Sequence, residues 1–174
     1  MRQYHDEEWG VPCHDDSKLF EYILLDTFQA GLSWKTILNK RENFRVAFSN
    51  FKPETISNYA GKEIKRLMSD KGIIRNRLKI LGAIENAKKF IDLKKEFGSF
   101  AKYIWQFTNY RIINNEIKSV KEIKTISKES DTMSNDLKKR GFKFVGSTTC
   151  YAFMQAIGMV NDHEINCFRY KELR

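Results

Sequence analysis

Beyond Pro53 the chain contains no proline, and only one other, Pro12, precedes it. Proline is the residue that most reliably interrupts a helix, because it lacks the N–H and its ring collides with the preceding turn. The rest of the 174 residues is therefore free to be helical, and no segment shows the strict alternation of a half-buried strand. These two observations predict an all-α fold. Hydrophobic residues make up 41% and aromatics 13% of the chain, including 13 Phe. That content is enough to bury a core, and the length fits one domain spanning 1–174.

Local signals place the helices. Asp15, Asp16 and Ser17 offer N-caps for a helix carrying Leu19, Phe20, Ile23, Leu24 and Thr27. Gly31 breaks that helix, and Ser33 caps the next, with Trp34, Ile37 and Leu38 on its apolar side. A turn near Phe48–Pro53 leads into a short helix. Residues 110–128 read as a Lys-rich loop with a short helix, LKKRG as a helix end before Gly141, and 149–159 as a final buried helix.

The most informative pattern lies at 62–90. Ile64, Leu67 and Met68 form one apolar stripe, SDKG interrupts it, and Ile74, Leu78, Leu81, Ile84 and Ala87 form a second. Two amphipathic helices joined by a glycine turn make a helix-hairpin-helix, whose turn directs backbone N–H groups at a phosphate. Lys71, Arg75, Arg77 and Lys79 surround the turn. A basic helical hairpin is also common in proteins that bind no nucleic acid.

Charge follows the same division. Residues 1–60 hold 7 Lys/Arg against 9 Asp/Glu, whereas 61–174 hold 24 against 13, for a formal net charge of +9. A basic half beside a mildly acidic one fits a polyanion bound across one face, and equally a set of solvated Lys-rich helices. The three cysteines have no paired spacing, the opening MRQYHDEEWG has no apolar run, and no stretch approaches the ~18 apolar residues of a membrane span. A reducing, cytoplasmic setting without membrane attachment follows as the expectation.

Three groups of residues carry chemistry. His163 and Cys167 are four apart and share a helical face, as metal ligands do, but two ligands do not make a zinc site. His5, Cys13 and His14 add donors only if the termini meet. Trp9, Trp34, Trp105, Tyr4 and Tyr151 are candidates for a stacking pocket and equally for core. Asp26, in a largely apolar stretch, is the acid whose burial needs explaining. No Walker loop, GxSxG or HExxH is present.

Taken in order, YHDEEWGVP (4–12), FQAGLSW (28–34), KGIIRNRLKI (71–80), KKRGFKFVG (138–146) and CYAFMQAIGMVNDH (150–163) closely resemble the DNA-3-methyladenine glycosylase I family over essentially the whole chain. The resemblance implies a compact helix-hairpin-helix glycosylase that acts on double-stranded alkylated DNA as a monomer. It implies hydrolysis of the N-glycosidic bond of 3-methyladenine, opening base excision repair without lyase activity. By similarity, Trp34 stacks on the flipped base, Asp26 hydrogen-bonds it, and Tyr4 and Trp9 form the pocket wall. The same similarity assigns Gly72, Ile73, Arg75 and Lys79 to the DNA backbone. It assigns His5, His163 and Cys167 to a structural zinc that ties the termini together.

Two departures accompany the resemblance. The family's fourth zinc ligand is a Cys upstream of the YHD block, whereas the chain begins three residues before Tyr4. Zinc binding is therefore expected to be weakened, or completed by Cys13 or water. The family also carries Glu where this chain has Asp26, one methylene shorter, so its carboxylate reaches less far or uses a bridging water. Two rival readings stand beside these. Asp92, 20 residues past Gly72, has the spacing of an activating Asp in another helix-hairpin-helix chemistry. A binding module that recognises DNA shape without cutting would need neither Asp26 nor Trp34.

Overall fold

The computed structural model describes residues 1–174. Its centre is helix α2 (Asp16–Gln29), preceded by a short α1 (Arg2–Glu7). Asp15 caps α2 by accepting from Lys18 N at 2.9 Å. Every residue of α2 from Leu19 to Phe28 is buried. A helix covered all round has no solvent face to which polar residues can be assigned, so any acid on it must find partners inside. Glu21 and Asp26 are both in that position.

Gly31, with φ +80°, turns the chain out of α2. Ser33 then caps α3 (Trp34–Asn39), accepting from Thr36 N at 3.2 Å, and α4 (Arg41–Ala47) follows almost directly. A 3₁₀ turn (Ser49–Phe51) and α5 (Pro53–Ile56) lead to α6 (Gly61–Ser69) and the long α7 (Arg77–Phe97). Gly98 ends α7 in the left-handed conformation, φ +83°. α8 (Phe100–Trp105), α9 (Lys128–Lys139) and α10 (Ser147–Ala156) complete the body, with α11 (Phe168–Glu172) at the end.

Helices α7, α8 and α10 pack around α2, and α9 packs on α10. Aromatic pairs cement the seams: Phe28 meets Phe44 and Phe48 on one side, and Phe20 meets Phe90, which stacks on Phe100, on the other. The fold is mostly helical, as the proline distribution predicts. Its only sheet is a parallel pair, β1 (Ile113–Asn114) with β2 (Val160–Asn161), too short to leave a periodic signal. No helix is long and apolar enough to cross a membrane.

The second apolar stripe differs from the expectation. α7 begins at Arg77, not near Ile74, and buries Ile80, Ala83, Ile84 and Ala87, while Leu78 and Leu81 face outward. Helices α2, α5 and α8 pack against α7, and the side they cover includes Lys79, which reaches the end of α2.

The N-terminal segment is laid across the end of α10. Gly10 N donates to Gln155 O and Cys13 N to Ile157 O, each at 3.0 Å. Gly158 permits this approach: a Cβ there would lie 2.5 Å from both Val11 C and Pro12 N. The same packing carries residues 4–9 towards the C-terminal residues 163–167.

Candidate active site

Tyr4, Trp9, Asp26, Gln29, Trp34, Ala152, Gln155 and Ala156 line a cavity of about 150 Å³. It lies where α1, α2, α3 and α10 converge, and its size suits one flat ring system rather than a drug-sized molecule. Trp34 enters it because the Gly31 turn and Ser33 cap start α3 there. Its ring centroid is 5.5 Å from that of Tyr4, at an interplanar angle of 54°.

The two buried acids of α2 have opposite surroundings. Glu21 accepts from Arg41 Nε at 2.6 Å, Arg45 at 3.1 Å and Lys18 Nζ at 3.2 Å. Asp26, 2% exposed, accepts from nothing, and its Oδ2 is fully buried. Burial pushes its carboxyl well above the usual range. Trp34 Nε1 is also buried without a partner. Burial first, and then the Asp26 carboxyl, push the Tyr4 phenol above its ordinary range, so it stays a donor. Unsatisfied polar atoms converging on a small aromatic cavity mark a site kept for a ligand rather than for stability.

A larger open groove of about 680 Å³ runs along Tyr59, Ile64, Leu78, Leu81 and Phe144. Its acid, Glu85, is paired with Lys88 at 3.1 Å, and it contains no orphaned buried group. Size favours the groove and chemistry favours the cavity; chemistry decides.

At the meeting of the termini, His5 Nε2 and His163 Nδ1 each lie 3.7 Å from Cys167 Sγ. The remaining ring nitrogens are held from outside. His163 Nε2 sits 3.0 Å from Trp9 O, which only accepts, and His5 Nδ1 sits 2.8 Å from Asp6 Oδ1. Each contact assigns the proton to the outer nitrogen and leaves the inner one as an electron-pair donor. Burial also lowers the His163 pKa, favouring neutral imidazole. A tetrahedral ion with bonds of about 2.0–2.1 Å to nitrogen and about 2.3 Å to sulfur separates a nitrogen and a sulfur ligand by about 3.6 Å. Both nitrogen–sulfur distances match that, and all three donor atoms lie within 4.8 Å of one another, so the chemistry of the donor set fits a metal drawn in between them. Cys13 is not a member: its Sγ turns to Asp15 O at 3.9 Å.

The methyladenine glycosylase family model matches residues 1–170. The chain belongs to the methyladenine glycosylase family. DNA-3-methyladenine glycosylase 1 of Escherichia coli K12 is 47% identical over 167 residues, covering 96% of this chain and 89% of that one. The enzyme of Haemophilus influenzae is 44% identical over 164 residues, covering 94% and 89%. A crystal structure of 3-methyladenine DNA glycosylase I superimposes with a TM-score of 0.93 at 47% identity, covering 96% of this chain and 92% of that one. The Staphylococcus aureus enzyme, solved to explain 3-methyladenine recognition, gives a TM-score of 0.93 at 33% identity, covering 96% and 89%.

Of the residues singled out in the sequence, Tyr4, Trp9, Asp26 and Trp34 come together in the cavity, and His5, His163 and Cys167 at the termini. Trp105 and Tyr151 are core, and Asp92 is a surface residue whose carboxylate pairs with Lys89 at 3.3 Å. Lys71, Arg75 and Arg77 are exposed beside the α6–α7 turn. Lys79 is not: it is 7% exposed, and its ammonium donates to Phe28 O at 2.8 Å and Ala30 O at 2.5 Å. The carbonyls at the end of α2 have no partners within their own helix, and Lys79 supplies them, so it braces the Trp34 loop from inside. Gly72 N is taken by Asp70 Oδ1 at 2.7 Å, whereas Ile73 N, Ile74 N and Arg75 N make no hydrogen bond in the chain.

Sequence reasoning missed Gln155, which borders the cavity, and the Glu8–Arg41–Glu21 network behind it. Gln155 lies inside the CYAFMQAIGMVNDH block, but only the cavity distinguishes it from other polar residues there.

Proposed function

We propose that this chain is a DNA glycosylase that hydrolyses the N-glycosidic bond of 3-methyladenine in alkylated double-stranded DNA, the first step of base excision repair. The observation that carries this reading is the unpartnered Asp26 carboxyl buried in a cavity walled by Tyr4, Trp9 and Trp34. An acid so placed destabilises the empty protein and is balanced only when a cation fills the space. N3-methylated adenine is such a cation. Its arrival supplies the counter-charge that burial denies Asp26, and so draws the carboxyl towards its ionised form. A neutral, undamaged base supplies none.

The target nucleotide leaves the duplex at a cost of a few kcal/mol, smallest for a damaged pair. Stacking on Trp34 adds cation–π attraction of about 0.5–2 kcal/mol. Asp26 accepts hydrogen bonds from the base edge, and Tyr4 donates. The base departs neutral, so the bond is weakened before the enzyme acts and little acid catalysis is needed. The C–N bond breaks as water forms a C–O bond to the sugar carbon, where positive charge develops, and the water's surplus proton passes to solvent. The cavity lining contains no Lys, which supports a glycosylase that works by hydrolysis without a Schiff-base lyase step.

The α6–α7 pair acts as the helix-hairpin-helix. The free N–H groups of residues 73–75, flanked by Lys71, Arg75 and Arg77, suit a backbone phosphate. His5, His163 and Cys167 hold a structural zinc that pins the wall bearing Tyr4 and Trp9. A fourth donor from outside this trio completes its coordination. The protein acts as a monomer.

Release of free 3-methyladenine from methylated DNA tests the reading, with Asp26→Asn and Trp34→Ala beside wild type. Activity lost in both variants supports it. A folded wild-type protein that binds DNA and frees no base would make the chain a binding module instead.

A further inference from the structure

One wall of the cavity is formed by Ala152, Gln155 and Ala156 of α10. The two alanines present only methyl groups, so the amide of Gln155 is that wall's single polar side chain. An amide is ambiguous by itself: its oxygen accepts, its nitrogen donates, and rotation of the group exchanges them. Here the surroundings remove the ambiguity. Asp162, 2% exposed, accepts from Gln155 Nε2 at 2.8 Å, from the Tyr151 hydroxyl at 2.9 Å and from Asn115 Nδ2 at 2.6 Å. Turning the amide over would set Gln155 Oε1 against Asp162 Oδ2, two acceptors facing each other out of water. The backbone is held as well, since Gln155 O accepts from Gly10 N at 3.0 Å. No group in the chain donates to Oε1.

We infer that Gln155 determines which methylated purine the cavity takes: Asp162 fixes the amide with its oxygen towards the base, so that it accepts from an amino group at purine position 6 and repels a carbonyl there. This inference rests on the glycosylase reading. Adenine brings the N6 amino donor to that acceptor. Guanine brings O6, which leaves two acceptors in contact and neither satisfied. Rejection is the stronger half of the effect, because a buried polar atom without a partner keeps its full desolvation cost. Asp162 touches no base and acts as a positioning residue through Gln155.

The test measures release of 3-methyladenine and 3-methylguanine from the same methylated DNA by wild type, Gln155→Leu and Asp162→Asn. Quenching of tryptophan fluorescence by the two free bases is recorded alongside, and circular dichroism confirms that each variant is folded. Wild type is expected to favour 3-methyladenine. Gln155→Leu is expected to lower the adenine-to-guanine ratio roughly tenfold or more. Asp162→Asn, which lets the amide turn over, is expected to lower the ratio while Gln155 is still present. Equal slowing of both lesions in Gln155→Leu, with the ratio unchanged, would overturn the inference, because a merely structural role moves both rates together. If wild type frees neither base, the glycosylase reading fails. The free-base preference then judges Gln155 by itself: a preference lost in Gln155→Leu supports the assignment, and one unaltered or absent sinks it.

Discussion

Arg41 grips Glu8 with two parallel hydrogen bonds of 2.8 Å, tying the segment that bears Tyr4 and Trp9 to the helix that follows Trp34. Both walls of the cavity thus depend on one guanidinium, which also reaches Glu21.

Removing that guanidinium should loosen the fold and the site together. Arg41→Met leaves Glu21, 5% exposed, with a weaker set of partners, and is expected to cost about 2–3 kcal/mol in urea denaturation. The Arg41 hydrogen bonds hold the Glu8 carboxyl down at about 2, below its ordinary 4.5. A depressed acid contributes stability that is complete above its unfolded value and lost as pH falls towards its folded one. Wild type should therefore lose stability between about pH 4.5 and 2, and Glu8→Gln should flatten that limb. An identical acid limb in the variant would show that Glu8 contributes nothing.

Asp26→Asn should stabilise the protein while disabling it. Replacing a buried, unpartnered acid by a neutral amide is expected to add about 1–2 kcal/mol at neutral pH. It should cut base release about 100-fold or more. The linkage sign is opposite to that of Glu8. Burial raises Asp26, so the folded state holds its proton longer, and stability declines as pH rises above the ordinary 3.8 towards the raised value. Melting temperature measured against pH should show that decline in wild type and not in the variant. A variant less stable than wild type at pH 7 would mean that Asp26 has partners.

Zinc should bind with one ion per chain. Adding zinc to metal-free protein is expected to raise the melting temperature, and chelation to lower it. Cys167→Ser should abolish the response. Asp6→Ala, which removes the acceptor at the outer nitrogen of His5, should weaken affinity about 10- to 100-fold. A melting temperature indifferent to zinc in wild type would refute the trio as a metal site.

Lys79 and Arg75 should separate cleanly. Lys79→Met orphans the carbonyls of Phe28 and Ala30 and is expected to cost about 1–3 kcal/mol of stability. The salt dependence of its DNA affinity should stay near that of wild type. Arg75→Ala should leave the melting temperature unchanged and reduce the salt slope by about one. The reverse pattern would return Lys79 to the DNA surface.

Sequence alone determined what local rules and motif order can carry. The absence of proline after residue 53, the caps at Asp15 and Ser33, and the glycine stops at Gly31 and Gly141 are written in single residues and their neighbours. The ordered blocks mark the family and single out Tyr4, Trp9, Asp26 and Trp34, which the fold gathers at one cavity. Tertiary structure decided the rest. Periodicity cannot say which face of α7 turns inward, because that depends on the helices packed against it, so the pattern puts Leu78 in the core and Lys79 on the surface where the fold reverses them. Composition cannot distinguish two acids of one buried helix, yet Glu21 meets Arg41, Arg45 and Lys18 while Asp26 meets an empty cavity. Gln155 was silent for the same reason: the direction of its amide is set by Asp162, Tyr151 and Asn115, which only the folded chain brings together.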